Sequence, residues 1–134
     1  MTNHKFPVIV VDDERLIAKN IAKNIERCNS SFQVVSIAHN GEDALSQIQE
    51  LRPSFLFTDI RMPVMDGLAA TRCIRESDHS DSKTVPIVAM TANVFEEDVK
   101  KSFDAGMNAH LSKPVDIKQM YAVLDELVTG DGLL

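Results

Sequence analysis

The sequence predicts an α/β fold in which a parallel sheet is covered by helices on both faces. The first observation is alternation: five short apolar runs that read as strands each precede a stretch whose apolar residues recur at helical spacing. The second is the character of those runs, such as Val8–Val11 and Phe55–Phe57, which are continuously apolar as in strands buried on two faces. The third is size. A chain of 134 residues is one domain's length and buries roughly two-thirds of its unfolded surface without staples. A single domain over 1–134 follows, with its core over about 7–128 and flexible ends at 1–5 and 129–134.

The elements can be justified in order. Val8-Ile9-Val10-Val11 forms the first strand and stops at Asp12-Asp13, after which Ile17, Ile21, Ile25 and Cys28 define one helical face. Phe32–Ala38 is the second strand. Asn40-Gly41, with Asp43 three residues on, opens a helix carrying Ala44, Ile48 and Leu51. Pro53 restarts the chain into the third strand, Phe55–Asp59, and Asp66 caps a helix bearing Leu68, Thr71 and Ile74. The polar stretch Ser77–Thr84 reads as an exposed loop before the fourth strand, Val85–Met90. Phe95, Val99 and Phe103 mark the fourth helix as a core-packing stripe, and Gly106 stands at its C-cap. Ala109–Ser112 is the fifth strand. Asp116 and Gln119 suggest a capping box for a last helix with the stripe Ile117, Met120, Tyr121, Leu124, Leu127 and Val128.

Composition narrows the function. Hydrophobic residues are 44% and charged residues 25%, which is a globular balance rather than a disordered one. Fourteen Lys and Arg against twenty Asp and Glu leave a net charge of −6, which disfavours nucleic acid as a ligand because phosphate contacts need clustered cations. Two cysteines make no disulfide framework. No run approaches the ~18 apolar residues of a membrane span, and no secretory segment follows Met1. The expectation is a cytoplasmic domain without membrane contact of its own.

Ligands of open parallel sheets bind beyond the carboxyl ends of the strands. The residues leaving those ends are Asp12 and Asp13, Asp59, Thr91 and Lys113. At ~4 Å and an effective dielectric near 20, each carboxylate pair repels by about 4 kcal/mol, so such a site must hold protons or a cation. All-oxygen donors favour Mg²⁺, with Mn²⁺ as a substitute, over Zn²⁺. A lysine beside them suits an anionic oxygen, and the chemistry that fits is phosphoryl transfer. Pro114, after Lys113, permits a cis bond that would aim the lysine stem.

Four segments carry a resemblance: Val11-Asp12-Asp13-Glu14, Thr58-Asp59-Ile60-Arg61-Met62-Pro63-Val64-Met65-Asp66-Gly67, Ala89-Met90-Thr91-Ala92-Asn93 and Leu111-Ser112-Lys113-Pro114-Val115. In this order they resemble the receiver domain of two-component response regulators, from Val8 to about Val128, and most closely the receivers of hybrid sensor histidine kinases. The resemblance implies a flavodoxin-like three-layer sandwich whose five-stranded parallel sheet has the order 2-1-3-4-5, with five helices.

It also implies roles. Asp59 is the nucleophile that accepts a phosphoryl group from phosphohistidine. Asp12, Asp13, Asp59 and the backbone carbonyl of Arg61 bind Mg²⁺. Thr91, Ala92 and Lys113 bind the phosphoryl oxygens. Thr91 switches the signalling surface, and His110 stands where the family usually carries a rotating aromatic. Whether the His110 ring is buried or faces solvent stays open at this stage. The implied partner is a cognate histidine kinase or histidine phosphotransfer domain, docking on the first helix around Arg15, Leu16 and Lys19, and phosphorylation-dependent dimerisation is compatible with the pattern. The domain would catalyse its own phosphorylation and dephosphorylation without independent turnover, and its parent chain could be a hybrid kinase.

Rival readings fit less well. A flavodoxin-like electron carrier needs hydroxyls and amides where Asp12-Asp13-Glu14 would repel a cofactor phosphate. A haloacid-dehalogenase-type phosphatase needs Asp-x-Asp after the first strand, and a dinucleotide enzyme needs Gly-x-Gly-x-x-Gly. Neither is present. A pseudo-receiver acting only by binding is opposed by the complete acid set. Cys28 and Cys73 fall on helices that would cover opposite faces, so both are expected as free thiols, and His4, His39, His79 and His110 read first as ordinary surface or loop residues.

Overall fold

The computed structural model describes residues 6–28, 31–60, 65–77, 84–91, 96–113 and 115–130. Ten elements follow one another: β1 (Phe6–Val11), α1 (Arg15–Cys28), β2 (Phe32–Ala38), α2 (Gly41–Leu51), β3 (Phe55–Asp59), α3 (Gly67–Glu76), β4 (Ile87–Thr91), α4 (Glu96–Ala105), β5 (Ala109–Ser112) and α5 (Ile117–Gly130). The strands pair in the order β2-β1-β3-β4-β5, every pair parallel. This is the three-layer sandwich that the alternation predicts.

Strand periodicity divides the core in two. Val8, Val10, Phe55, Phe57, Val88 and Met90 face α1 and α5, meeting Ala18, Ile21, Ile25, Met120 and Leu124. The alternate residues Ile9, Val11, Leu56, Ile87 and Ala89 face the other side, where Ala44 of α2 and Ile74 of α3 cover them. At about 25 cal/mol per Å² of apolar surface, these two clusters supply the main driving force for folding. Cys28 and Cys73 lie on opposite faces as free thiols.

Local chemistry sets the helix ends. The Asn40 side chain accepts from the Asp43 amide at 2.9 Å, and Asp66 accepts from the Ala69 amide at 2.8 Å. Gly106, with φ +109°, follows α4 in a conformation that costs glycine little. Asp116 caps α5 through the Lys118 amide at 2.7 Å.

Several expectations need correction. β4 begins at Ile87 rather than Val85, because Pro86 lacks the amide a ladder needs; its carbonyl still accepts from Leu56 N. The α4 stripe is not core packing. Phe103 is 48% exposed and Val99 half-buried, while Phe95 lies outside the described residues. The helix presents Ser102 and Ala105 inward instead, small residues that turn Phe103 aside. On α5 the buried positions are Met120 and Leu124, whereas Ile117 and Tyr121 are exposed. That helix also continues to Gly130, two residues past the expected end.

Candidate functional site

Because the strands are parallel, their carboxyl ends share one edge of the sheet. β1 delivers Asp12, fully buried, and Asp13, exposed. Asp12 is tied down on several sides. Its amide donates to Ala38 O at 3.0 Å, and its Oδ1 accepts from the Glu14 amide at 3.0 Å. Its carbonyl lies 3.0 Å from His39 Nδ1, which must carry the proton there because a carbonyl only accepts. Asp59 ends the neighbouring β3 and is buried.

Lys113 leaves β5 and reaches back over the sheet. Its Nζ lies 2.7 Å from Asp12 Oδ2 and 3.2 Å from Asp59 Oδ2. Carboxylate oxygens of Asp12, Asp13 and Asp59 all fall within 4.8 Å of one another. Thr91 ends β4, buried, and its carbonyl accepts from the Lys113 amide at 2.8 Å. Residues 101 positions apart in sequence are thus joined by one ion pair.

Electrostatics follow from this crowding. Burial pushes the Asp59 carboxyl above its ordinary range; Lys113 opposes that, while Asp12 and Asp13 reinforce it. Burial alone would lower Lys113, but its hydrogen bond to Asp12 and the charges of Asp59 and Asp12 outweigh it, so the ammonium is held above its ordinary value. When ionised, three carboxylates and one ammonium leave two net negative charges. A divalent cation would neutralise them, and the all-oxygen donor set suits a hard ion. The residues present therefore fit a metal of the Mg²⁺ type.

Arg61, Ala92, Asn93 and Pro114 lie outside the described residues. His110 is half-buried on β5, opposite Ala89. Arg15, Leu16 and Lys19 are exposed on α1, Leu16 by 73%. Sequence reasoning missed His39, whose bond to Asp12 O depends on β1 and β2 lying side by side. Nor did it show that the amides of Gly41 and Gly67 donate to Met65 O and Ile60 O.

The family profile described as response regulator receiver domain matches residues 8–125. The chain belongs to that family. A 112-residue stretch covering 81% of this receiver is 41% identical to hybrid signal transduction histidine kinase L of Dictyostelium discoideum, but spans only 6% of that protein. Transcription factor SKN7 of Candida albicans is 33% identical over 92% of the receiver, which spans 21% of its length. Among solved structures, the receiver domain of sensor histidine kinase PA1611 from Pseudomonas aeruginosa PAO1 superposes with a TM-score of 0.80 at 28% identity, covering 91% of this chain and 96% of that one. That structure has a magnesium ion coordinated in its active site cleft. Chemotaxis protein CheY4 of Vibrio cholerae shares the fold, with a TM-score of 0.81 at 24% identity over 91% of this receiver and 98% of that chain. Among the described residues, no helix is long and apolar enough to cross a membrane.

Proposed function

We propose that this receiver accepts a phosphoryl group on Asp59 from a phosphohistidine of a histidine kinase or histidine phosphotransfer domain. The observation that carries the reading is the Lys113 ammonium between Asp12 and Asp59, with Asp13 completing a three-carboxylate cluster. In the transfer an Asp59 carboxylate oxygen attacks phosphorus. The P–N bond to the donor imidazole breaks, its electron pair stays on nitrogen, and an acyl phosphate remains. Charge on the transferring group is offset by Lys113, whose position at the mouth of the site, 17% exposed, suits contact with an incoming oxygen. Asp12, Asp13 and Asp59, with the Arg61 carbonyl, would hold Mg²⁺, which supplies further positive charge to the phosphoryl oxygens when bound.

Thr91 ends β4 immediately before the segment leading into α4 and is linked to Lys113 through its carbonyl. Its hydroxyl, with the Ala92 amide, would bind the phosphoryl group, which would draw Thr91 inward and bias a two-state surface. His110, half-buried on the adjacent β5, would follow Thr91 as the switch residue. Exposed Leu16, flanked by Arg15 and Lys19, suits α1 to dock the donor. The domain itself turns over no separate substrate, and as a phosphorelay module it would work in the cytoplasm, alone or within a hybrid kinase.

Intact-mass spectrometry after incubation with acetyl phosphate tests this. A Mg²⁺-dependent gain of one phosphate is expected in the wild type and absent in Asp59→Asn. A folded wild type that binds Mg²⁺ but gains no mass from acetyl phosphate or a phosphohistidine donor would leave a binding module only.

A further inference from the structure

We propose that His39 is a positioning residue of the cation site, its imidazole fixing the peptide group that joins Asp12 to Asp13. The inference rests on reading Asp12, Asp13 and Asp59 as that site. Asp12 has two kinds of partner. Its carboxylate takes the Glu14 amide on Oδ1 at 3.0 Å and Lys113 Nζ on Oδ2 at 2.7 Å. Both bonds use oxygens that a bound cation would also claim. The backbone of Asp12 is held separately, by the end of β2. Its amide donates to Ala38 O at 3.0 Å, and His39 Nδ1 donates to its carbonyl at 3.0 Å. These two bonds fix the residue without consuming a ligand atom.

The His39 contact reaches past Asp12. A peptide group is planar, so the Asp12 carbonyl and the Asp13 amide lie in one plane, and holding the oxygen restrains the tilt that carries Asp13. Asp13 is the exposed member of the cluster, whereas Asp12 and Asp59 are buried. Surrounding side chains confine those two acids; the third depends more on the backbone that bears it. His39 is itself well anchored. Ala38 before it pairs with Val11 in the β1–β2 ladder, and Asn40 after it caps α2, accepting from the Asp43 amide at 2.9 Å. The ring is half-buried, so water competes less for its bond to Asp12. Mg²⁺ demands near-ideal octahedral geometry, so a swing of the peptide between the two acids lowers affinity even when every carboxylate survives.

The test compares Mg²⁺ dissociation constants of wild type, His39→Leu, His39→Asn and Arg75→Met by calorimetry at one pH, each checked for folding by circular dichroism. Leucine keeps bulk and loses the donor, while asparagine offers an amide N–H as many bonds from Cα as Nδ1. Arg75→Met is the control for general loosening, since its bonds to Gly106 and Asn108 lie by the starts of β4 and β5, the edge opposite the acids. His39→Leu should weaken Mg²⁺ about tenfold, the scale of losing an outer-shell support. His39→Asn should recover most of that loss, and Arg75→Met should stay within about twofold of wild type, as a distant site does. Equal affinity in His39→Leu and wild type overturns the proposal while sparing the site reading. Equal weakening in His39→Leu and His39→Asn overturns it too, because the hydrogen bond would then not be what matters. Equal weakening in His39→Leu and Arg75→Met does the same, since loosening alone would suffice. Failure of the wild type to bind Mg²⁺ overturns the site reading and the inference together. Should His39→Leu not fold, the wild type decides by long-range proton–nitrogen NMR spectra of the neutral His39 ring. The proton must sit on Nδ1, and Mg²⁺ must slow its exchange with water, because coupling between sites is reciprocal. A proton on Nε2, or exchange that Mg²⁺ leaves unchanged, overturns the proposal.

Discussion

Asp59 occupies a place that opposes its own ionisation. Burial is the largest cause, with Asp12 and Asp13 adding repulsion and Lys113 only partly compensating. In the unfolded chain the group titrates near its ordinary value of 3.8. Between that value and the raised folded one, the native state binds more protons than the unfolded state, so stability falls as pH rises through the window and levels off above it. Lys113 follows the same sign in a higher window, its raised pKa giving stability that is fully present below its ordinary 10.5 and lost as pH rises from there through the folded value. At neutral pH without metal, Asp59→Asn should therefore be more stable than wild type, by on the order of 1 kcal/mol, the familiar trade of site function against stability. Urea unfolding in chelator at several pH values checks this, and the advantage should shrink as pH falls towards 4. A destabilised Asp59→Asn at pH 7 would mean that its pairing with Lys113 outweighs desolvation. At this scale the positions of the acids, Thr91 and Lys113 were legible because all stand at the carboxyl ends of β1, β3, β4 and β5, along one edge of the sheet. His39 was not, because its only signal is a contact made across two strands.

Strands were easier to read than helix faces. β2, β3 and β5 fall where their apolar runs place them; β3 is buried along its whole length, whereas β2 and β5, at the sheet's edges, are partly exposed. The α4 face was misread because spacing identifies a stripe without saying whether small residues beside it approach the sheet more closely; here Ser102 and Ala105 do, and Phe103 turns outward. One tie between elements has no sequence signal at all. At the end of α3, Arg75 donates to Gly106 O through Nε at 3.0 Å and Nη2 at 2.8 Å, and Nη2 also reaches Asn108 Oδ1 at 2.8 Å. The same Asn108 oxygen accepts from Ile87 N at 2.9 Å, so the ends of α3 and α4 and the start of β4 meet on one guanidinium and one amide. Arg75→Met should cost about 2 kcal/mol, as hydrogen bonds from a charged donor are lost and the Gly106 carbonyl is left short of partners. In a double-mutant cycle with Asn108→Ala, measured by denaturant unfolding, the two losses should couple by at least about 0.5 kcal/mol. Additive losses would show that Arg75 and Asn108 act separately.

At the scale of the molecule, the sheet brings together acids that the unfolded chain keeps apart. Asp12 and Asp13 are separated from Asp59 by α1, β2 and α2, yet their carboxylate oxygens converge within 4.8 Å. A cation held by all three binds the folded state alone, and its binding energy adds to stability. At a Mg²⁺ concentration of about 100 times the dissociation constant the gain is about 2.7 kcal/mol. For a domain of this size each kcal/mol moves the midpoint by roughly 4 °C, so thermal unfolding should shift upward by about 10 °C. Charge screening alone predicts a different pattern. The chain carries a net charge of −6, and any salt would relieve its self-repulsion to some extent. NaCl at matched ionic strength should therefore reproduce only a small part of the shift. Asp13→Asn separates the two effects further. Asp13 is exposed, so its loss should change metal-free stability by no more than about 0.5 kcal/mol, while removing one of the three converging carboxylates should abolish most of the Mg²⁺-dependent shift. A shift equal in NaCl, or undiminished in Asp13→Asn, would mean that Mg²⁺ acts on the overall charge rather than at the convergence of β1 and β3.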